Sequence, residues 1–302
     1  MNQRRDEIMK KEFLEKYRNE MIRNEKSEKT INAYIFNITK FIEWTEESSG
    51  MEFDGKISSM EINAYTSYLT TVKKAALSTI NARLSAIQSF CDFLHYNYGM
   101  DSIKVQKKKG KVTPKVEILN KQELFQFLKF AETASLLHKT IIYTFLNTGM
   151  REEEVCNLEL DDIINLDSAK CSYIIIRNGK GGKYREIDIK GDYKKLLREY
   201  LAQRPNTNSN KVFIGERGAL TPNGIYKLVH RLGNKIGLNV YPHMLRHQFL
   251  TQLSKNCTTA QDLKDLSEIA GHSCIETTMK YYISGSNENK KRLTSELNYF
   301  AD

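Results

Sequence analysis

Apolar residues Ile31, Tyr34, Ile35, Ile38, Phe41 and Ile42 recur at three- and four-residue steps between Lys29 and Thr45, which puts them on one face of a helix. A second stripe, Ile80, Leu84, Ile87, Cys91 and Leu94, runs through Leu77 to Tyr96, with Ser78 or Thr79 available as N-cap. Met60 to Thr70 reads as a shorter helix between them. Strand-like alternation is scarce before residue 100, so residues 1–100 are expected to form a small all-helical domain. Beyond residue 117 the helical pattern resumes over Asn120–Glu132, capped by Asn120, and over Leu136–Thr148, ended by Gly149. The period then changes: CSYIIIR, NGKGG and KYREIDI read as strand, glycine-rich turn and strand. Thr221 followed by Pro222 opens a helix through Ile236, and Pro242 opens another over HMLRHQFLTQLSK. The expected fold is mainly α with one small β-hairpin sheet in the second domain.

Between the two helical regions lies DSIKVQKKKGKVTPK, with six lysines against one aspartate, Gly110 and Pro114. It is expected to be an extended interdomain linker, residues 101–116, and it carries +5 of the formal net charge of +9. A chain of 302 residues with pI near 9.1 has room for two domains and attracts a polyanion, most simply nucleic acid. The candidates for contact with DNA phosphates are Lys73, Lys74, Asn81 and Arg83 off the apolar stripes, Lys107, Lys108 and Lys109 in the linker, and Lys227 and Arg231 on the later helix. The alternative for the residues off the stripes is an ordinary solvated face, and for the linker a soluble spacer. The N-terminus mixes both signs of charge with no apolar signal core, so a cytoplasmic protein with no membrane partner is expected. Five scattered cysteines, none in a C-x-x-C, point to reduced thiols rather than disulfides or zinc. There is no P-loop motif and no metal-spaced acidic or cysteine cluster.

Four segments carry candidate chemistry. Arg151 in NTGMREEEV follows a helix-ending glycine, and its planar fork suits bidentate phosphate recognition; Glu154, three residues on, can orient it. Lys180 lies at the glycine-flanked tip of the hairpin, where it can donate a proton to a leaving oxygen, with Lys183 and Arg185 as competitors. His243 and Arg246 share one face near a helix N-terminus, whereas His247 points elsewhere and reads as structural. His272 follows Gly271, a break that exposes the imidazole. Tyr281 lies nine residues farther on, beside its competitor Tyr282. A phenol with pKa near ~10 becomes a nucleophile only with help, which positive charge and a histidine around a phosphate provide.

In this order, Arg151, Lys180, H-x-x-R at His243 to Arg246, G-H at Gly271 to His272, and Tyr281 resemble the tyrosine recombinase (phage integrase) family, particularly its Xer-like members. The match runs from about 117 to 285, and TINAYIFNITKFIEW and LSTINARLSAIQSFCDFL are similar to the family's N-terminal core-binding domain. The resemblance implies a catalytic domain over 117–302 that closes with the N-terminal domain as a C-shaped clamp on DNA. It also selects Lys180 over Lys183 as general acid, Tyr281 over Tyr282 as nucleophile, and Glu154 as the acidic residue after the first arginine. Strand transfer would pass through a 3′-phosphotyrosine linkage, with no metal and no cofactor. The tail 286–302, with Leu293, Leu297 and Phe300 on one face, would pack on a neighbouring protomer, giving a homotetramer on two double-stranded DNA sites, with accessory proteins as further partners. Two departures stand out: Asn256–Ala270 is longer than the family pattern, and Tyr241 stands where a small hydroxyl residue is usual. The competing readings are a type IB topoisomerase-like nicking and resealing enzyme and an inert DNA-binding regulator on the same scaffold.

Overall fold

A computed structural model describes residues 2–108, 117–168, 171–177, 184–272 and 278–279. The chain divides into two compact units, Met1–Thr113 and Pro114–Asp302.

The first unit is helical: α1 (Asn2–Arg23), α2 (Glu28–Ser49), α3 (Ser59–Thr71) and α4 (Leu77–Tyr98). In α2, Ser27 caps the first turn by accepting from the Thr30 N–H, and Gly50 ends the helix in the left-handed conformation. Ser58 and Glu61 form a reciprocal capping box at the start of α3. The expected serine or threonine cap of α4 is absent: the helix starts at Leu77 after Ala76, with no side-chain cap. Residues 76–79 are exposed, so the first-turn N–H groups face solvent and need no cap from the protein. Ile38, Phe41, Ile42, Leu84, Ile87 and Phe90 are fully buried between α2 and α4, each contributing about 1.5 to 3 kcal/mol of apolar burial. Helix α1 was not expected from the pattern. Its buried stripe is narrow, Phe13, Tyr17 and Met21 at four-residue steps in a charged segment, and Tyr17 donates to Ser89 Oγ at 2.8 Å.

The first half of the expected linker is not a free spacer. Gln88 and Asn81, two turns apart on α4, each make reciprocal amide bonds to it. Gln88 donates to the Ile103 carbonyl (2.9 Å) and accepts from the Val105 N–H (2.6 Å). Asn81 likewise accepts from the Lys108 N–H (2.9 Å) and donates to the Lys108 carbonyl (3.0 Å). Ile103 and Val105 pack on the helical core.

The second unit contains α5 (Lys121–Ala131), α6 (Leu136–Thr148), α7 (Glu152–Asn157), a 3-10 turn (Leu160–Asp162), and the strands β1 (Ile163–Ile164), β2 (Ser172–Ile176) and β3 (Arg185–Ile189). There follow α8 (Gly191–Gln203), the short pair β4 (Ile214–Gly215) and β5 (Gly218–Ala219), α9 (Pro222–Asn234), α10 (Pro242–Ser254) and α11 (Ala260–Ala270). The three-stranded antiparallel sheet runs β1-β2-β3, with Ile174 opposite Ile187 and Ile176 opposite Arg185. Alternate residues of β2 and β3 point into the core, as a period of two requires: Ser172, Ile174 and Ile176 on one strand, Arg185, Ile187 and Ile189 on the other. Helix α6 is the central element, with Ile141, Ile142 and Phe145 fully buried. The caps expected at Asn120, Thr221 and Gly149 are present. The long segment before His272 is mostly helix α11, started by a capping box in which Thr259 and Asp262 satisfy each other's backbone N–H groups.

Candidate active site

Among the described residues, Arg151, Arg246 and His272 converge on the C-terminal end of α11. Three consecutive residues there, Ala270, Gly271 and His272, each meet an arginine. Arg246, on the first turns of α10, is almost wholly buried; its guanidinium donates to the Ala270 carbonyl (2.6 Å) and to the carbonyl of Gly149, the cap of α6. Arg151, between α6 and α7, donates to the Gly271 carbonyl at 2.6 Å. Helix C-terminal carbonyls carry partial negative charge and need donors, so they fix both forks without a carboxylate. Consecutive Cα atoms lie about 3.8 Å apart, so tying two guanidinium groups to neighbouring carbonyls holds them within reach of one phosphate.

Gly271 is required by both backbone and space. Its φ is +59°, and a Cβ there would lie 2.9 Å from Arg185 Nη1 and 3.2 Å from Arg151 Nη1. Gly149 plays the matching role at the end of α6, with φ of +58° and the Phe249 ring 2.3 Å from where a Cβ would stand.

Glu154 ties the site to the sheet. Its carboxylate accepts from the Arg151 N–H (2.7 Å) and Arg151 Nη1 (2.8 Å), and from both Nη atoms of Arg185 on β3 (3.0 and 2.6 Å). Burial pushes the Glu154 pKa up, but the hydrogen bonds and charge of Arg185, followed by those of Arg151, outweigh it and hold the carboxyl at about 2. Arg185 appeared in the sequence only as a competitor to Lys180 for a role in the hairpin. The structure instead places it in the core, and the signal was present in REIDI, whose alternation puts the arginine on the same face as two isoleucines.

His272 sits 3.4 Å from Arg246 Nη2 through Nε2, and its Nδ1 lies 2.9 Å from the hydroxyl of the fully buried Thr278. The ring is half-buried rather than exposed by the glycine break. Burial, then the charges of Arg246, Arg151 and Arg185, push its pKa down to about 4, so it is neutral at neutral pH. His243 is open to solvent on one side, with its ring tilted against His247 at a centroid distance of 4.1 Å. Burial, then the charges of Arg246 and Arg151, lowers its pKa as well. His247 is hydrogen-bonded by the backbone of Glu117, and burial and His243 bring it to about 4, which fits a structural histidine. Tyr241, at the start of α10, bonds through its hydroxyl to the Glu117 carboxylate, which accounts for a large residue at that position.

Lys180 and Tyr281 lie outside the described residues, as do Tyr282, Lys183, Lys109 and the tail 286–302. The arms of the hairpin that carries Lys180 are described, and their pairing closes at Ile176 opposite Arg185.

Lys227 and Arg231 are exposed one turn apart on α9, and Lys73, Lys74 and Lys107 are exposed on the first unit. Lys73 Nζ lies 5.6 Å from the Tyr68 ring centre, and Lys108 Nζ bonds Thr70. Asn81 is engaged by the Lys108 backbone, and Arg83 donates to the Tyr65 hydroxyl (2.5 Å), so both have work inside the first unit. Among the described residues no group of three His, Cys, Asp or Glu side chains could hold a metal ion, and no helix is long and apolar enough to cross a membrane.

Comparison with known proteins gives two domain matches. Residues 117–288 match the phage integrase family, and residues 13–96 match the phage integrase N-terminal SAM-like domain. The chain is 30% identical over 285 residues to tyrosine recombinase XerA of Pyrococcus horikoshii, covering 92% of this chain and 90% of the relative. It is 30% identical over 278 residues to tyrosine recombinase XerC of Lactobacillus delbrueckii subsp. bulgaricus, covering 86% and 90%. Among solved structures, XerH site-specific recombinase bound to palindromic difH substrate in a post-cleavage complex matches with TM-score 0.68 and 25% identity, covering 88% of this chain and 78% of that one. The fold is also that of a lambda integrase dimer bound to a COC' core site, with TM-score 0.71 and 16% identity, covering 96% and 98%.

Proposed function

The chain belongs to the phage integrase family and is a site-specific tyrosine recombinase, and from that premise we propose how its residues divide the chemistry. The supporting observation is the pair Arg151 and Arg246, held by adjacent carbonyls at the end of α11 beside a neutral His272. Both guanidinium groups contact the non-bridging oxygens of the scissile phosphate, where negative charge grows in the pentacoordinate transition state. Their carbonyl partners fix the orientation of the two forks beforehand.

Tyr281 Oη attacks phosphorus, forming the phosphotyrosine bond as the bond from phosphorus to the 5′ oxygen breaks. The phenolic proton passes to His272, whose ring is neutral at neutral pH. The negative charge of the bound phosphate offsets the arginines that add to burial in holding its pKa down to about 4, and so raises its basicity in the complex. Lys180 gives a proton to the departing 5′ oxygen, so the products are a 3′-phosphotyrosine and a 5′-hydroxyl. His243 hydrogen-bonds the phosphate from the open side of the site. The bond energy stays in the covalent linkage, and attack by a 5′-hydroxyl of a partner duplex completes the exchange. Residues 1–100 act as the core-binding domain and 117–302 as the catalytic domain, with Lys73, Lys74, Lys107, Lys108, Lys109, Lys227 and Arg231 meeting phosphates. The tail 286–302 joins neighbouring protomers into a tetramer on two sites.

Strand exchange tests this reading. Two differently labelled duplexes, recovered from a randomised pool by binding to the full chain, are mixed with it in EDTA. Recombinant duplexes carrying both labels are expected. Relaxation of a supercoiled plasmid bearing the same site, with no exchanged product, would replace the reading by a topoisomerase-like one.

A further inference from the structure

Arg151 faces a difficulty that its own position creates. Glu154 contacts it twice, through the main-chain N–H and through Nη1 at 2.8 Å. A full carboxylate charge at that distance cancels the charge of the arginine, and a neutralised arginine does little for a phosphate that gains negative charge in the transition state. Glu154 is also 4% exposed at its side chain, so water does not screen it.

Arg185 resolves the difficulty. Its side chain is 6% exposed and places both Nη atoms on the two Glu154 oxygens, the bidentate geometry of a strong arginine–carboxylate pair. With Arg185 counted, the carboxylate has one arginine to balance it and Arg151 keeps a net positive charge. With Arg185 removed, Glu154 and Arg151 balance each other and, of the two arginines assigned to the phosphate, Arg246 alone keeps its charge for it. Arg185 also lies beside Gly271, next to the point where Arg151 is anchored, so the same side chain sets charge and position.

We propose that Arg185 is a positioning residue for strand cleavage: by neutralising Glu154 it leaves the charge of Arg151 for the scissile phosphate. Glu154 in turn holds the backbone and fork of Arg151 in place. Arg185 touches neither DNA nor Tyr281 in this scheme. The proposal rests on the assignment of Arg151 to the phosphate made above.

The test compares the full-length wild type, Arg185→Met, Arg185→Lys and the double variant Arg185→Met/Glu154→Gln on a nicked suicide duplex recovered by binding selection. Covalent adduct formation and equilibrium DNA affinity are measured for each, with thermal melts to follow folding. Arg185→Met should lose cleavage by about 100-fold with affinity nearly unchanged, because the interaction it supports is made in the transition state. Removing the carboxylate charge as well should return at least about 10-fold of that loss, and Arg185→Lys, which keeps the charge, should stay within about 10-fold of wild type. A folded double variant as slow as Arg185→Met, or a folded Arg185→Lys as slow as Arg185→Met, would overturn the proposal and leave Arg185 a brace between β3 and α7. If wild type itself binds the duplex and forms no adduct, the assignment of Arg151 fails and this proposal falls with it.

Discussion

His247 and His272 are each held neutral, at about 4 against an ordinary 6.5, first by burial and then by neighbouring positive groups. The unfolded chain therefore binds protons at these two sites as pH falls below about 6.5, and the folded chain does not until about 4, so stability must fall across that window. Urea unfolding between pH 7 and pH 5 should show proton uptake on unfolding, to which His247 and His272 contribute up to about two and the likewise lowered His243 and His138 add, and His247→Gln should remove about one. A stability independent of pH in this range would contradict the electrostatics given to the site. Glu154 and Asp262, both at about 2, act in the same direction but only at lower pH, which keeps the two effects separate. At this scale the sequence displayed Arg151, Glu154, His243, Arg246 and His272, because each stands in a short local motif. It did not display the use of Arg185. That use depends on a pairing with Glu154, 31 residues away, which only the register of β3 against the rest of the unit creates. Thr278, the partner of His272 Nδ1, was hidden for a different reason: a hydroxyl in a helix-like run gives no sign of what it faces.

The ends of α6, α10 and α11 matter more than their lengths. Two left-handed glycine caps and one arginine join the first and last of these helices to the middle one. Gly271→Ala should therefore cost about 1 to 2 kcal/mol for the left-handed backbone alone. It should also displace the Arg151 and Arg185 guanidinium groups that a Cβ would meet. Cleavage by this variant should fall further than its melting temperature explains, whereas Gly50→Ala, at a left-handed cap with open space around it, should lose stability only. Equal cleavage by the two variants, once corrected for folded fraction, would show that the crowding at Gly271 has no chemical consequence. Long elements were legible: α2 and α4 lie where three- and four-residue spacing puts them, and α5, α6 and α9 where the caps at Asn120, Gly149 and Thr221–Pro222 put them. The pattern failed where burial is partial. Over its residues 10–23 helix α1 buries one residue per turn, and β1 is two residues long, so neither carries a clear periodic signal. Helix α11 does carry one, Leu263, Leu266, Ile269 and Ala270 at three- and four-residue steps, but it goes unread in a segment that stands out only as an over-long connection.

For the whole molecule, the excess of positive charge pointed to a polyanion, and the two domain matches and the relatives name the class: a tyrosine recombinase. The first half of the linker expected at 101–116 is bound to α4 by Gln88 and Asn81, with bonds that a composition rich in lysine does not announce. Composition identifies a segment as soluble and extended. It does not reveal a side-chain amide elsewhere that supplies the missing backbone partners. The central claim, strand transfer through Tyr281, is reached most directly by trapping the covalent intermediate. The full-length protein, Tyr281→Phe and Tyr282→Phe are each incubated in EDTA with a nicked suicide duplex, the adduct is isolated under denaturing conditions, and the modified peptide is sequenced by mass spectrometry. The account predicts an adduct with wild type and Tyr282→Phe, none with Tyr281→Phe, and a nucleotide attached to Tyr281. An adduct on Tyr282, or none in any sample despite DNA binding, would contradict it.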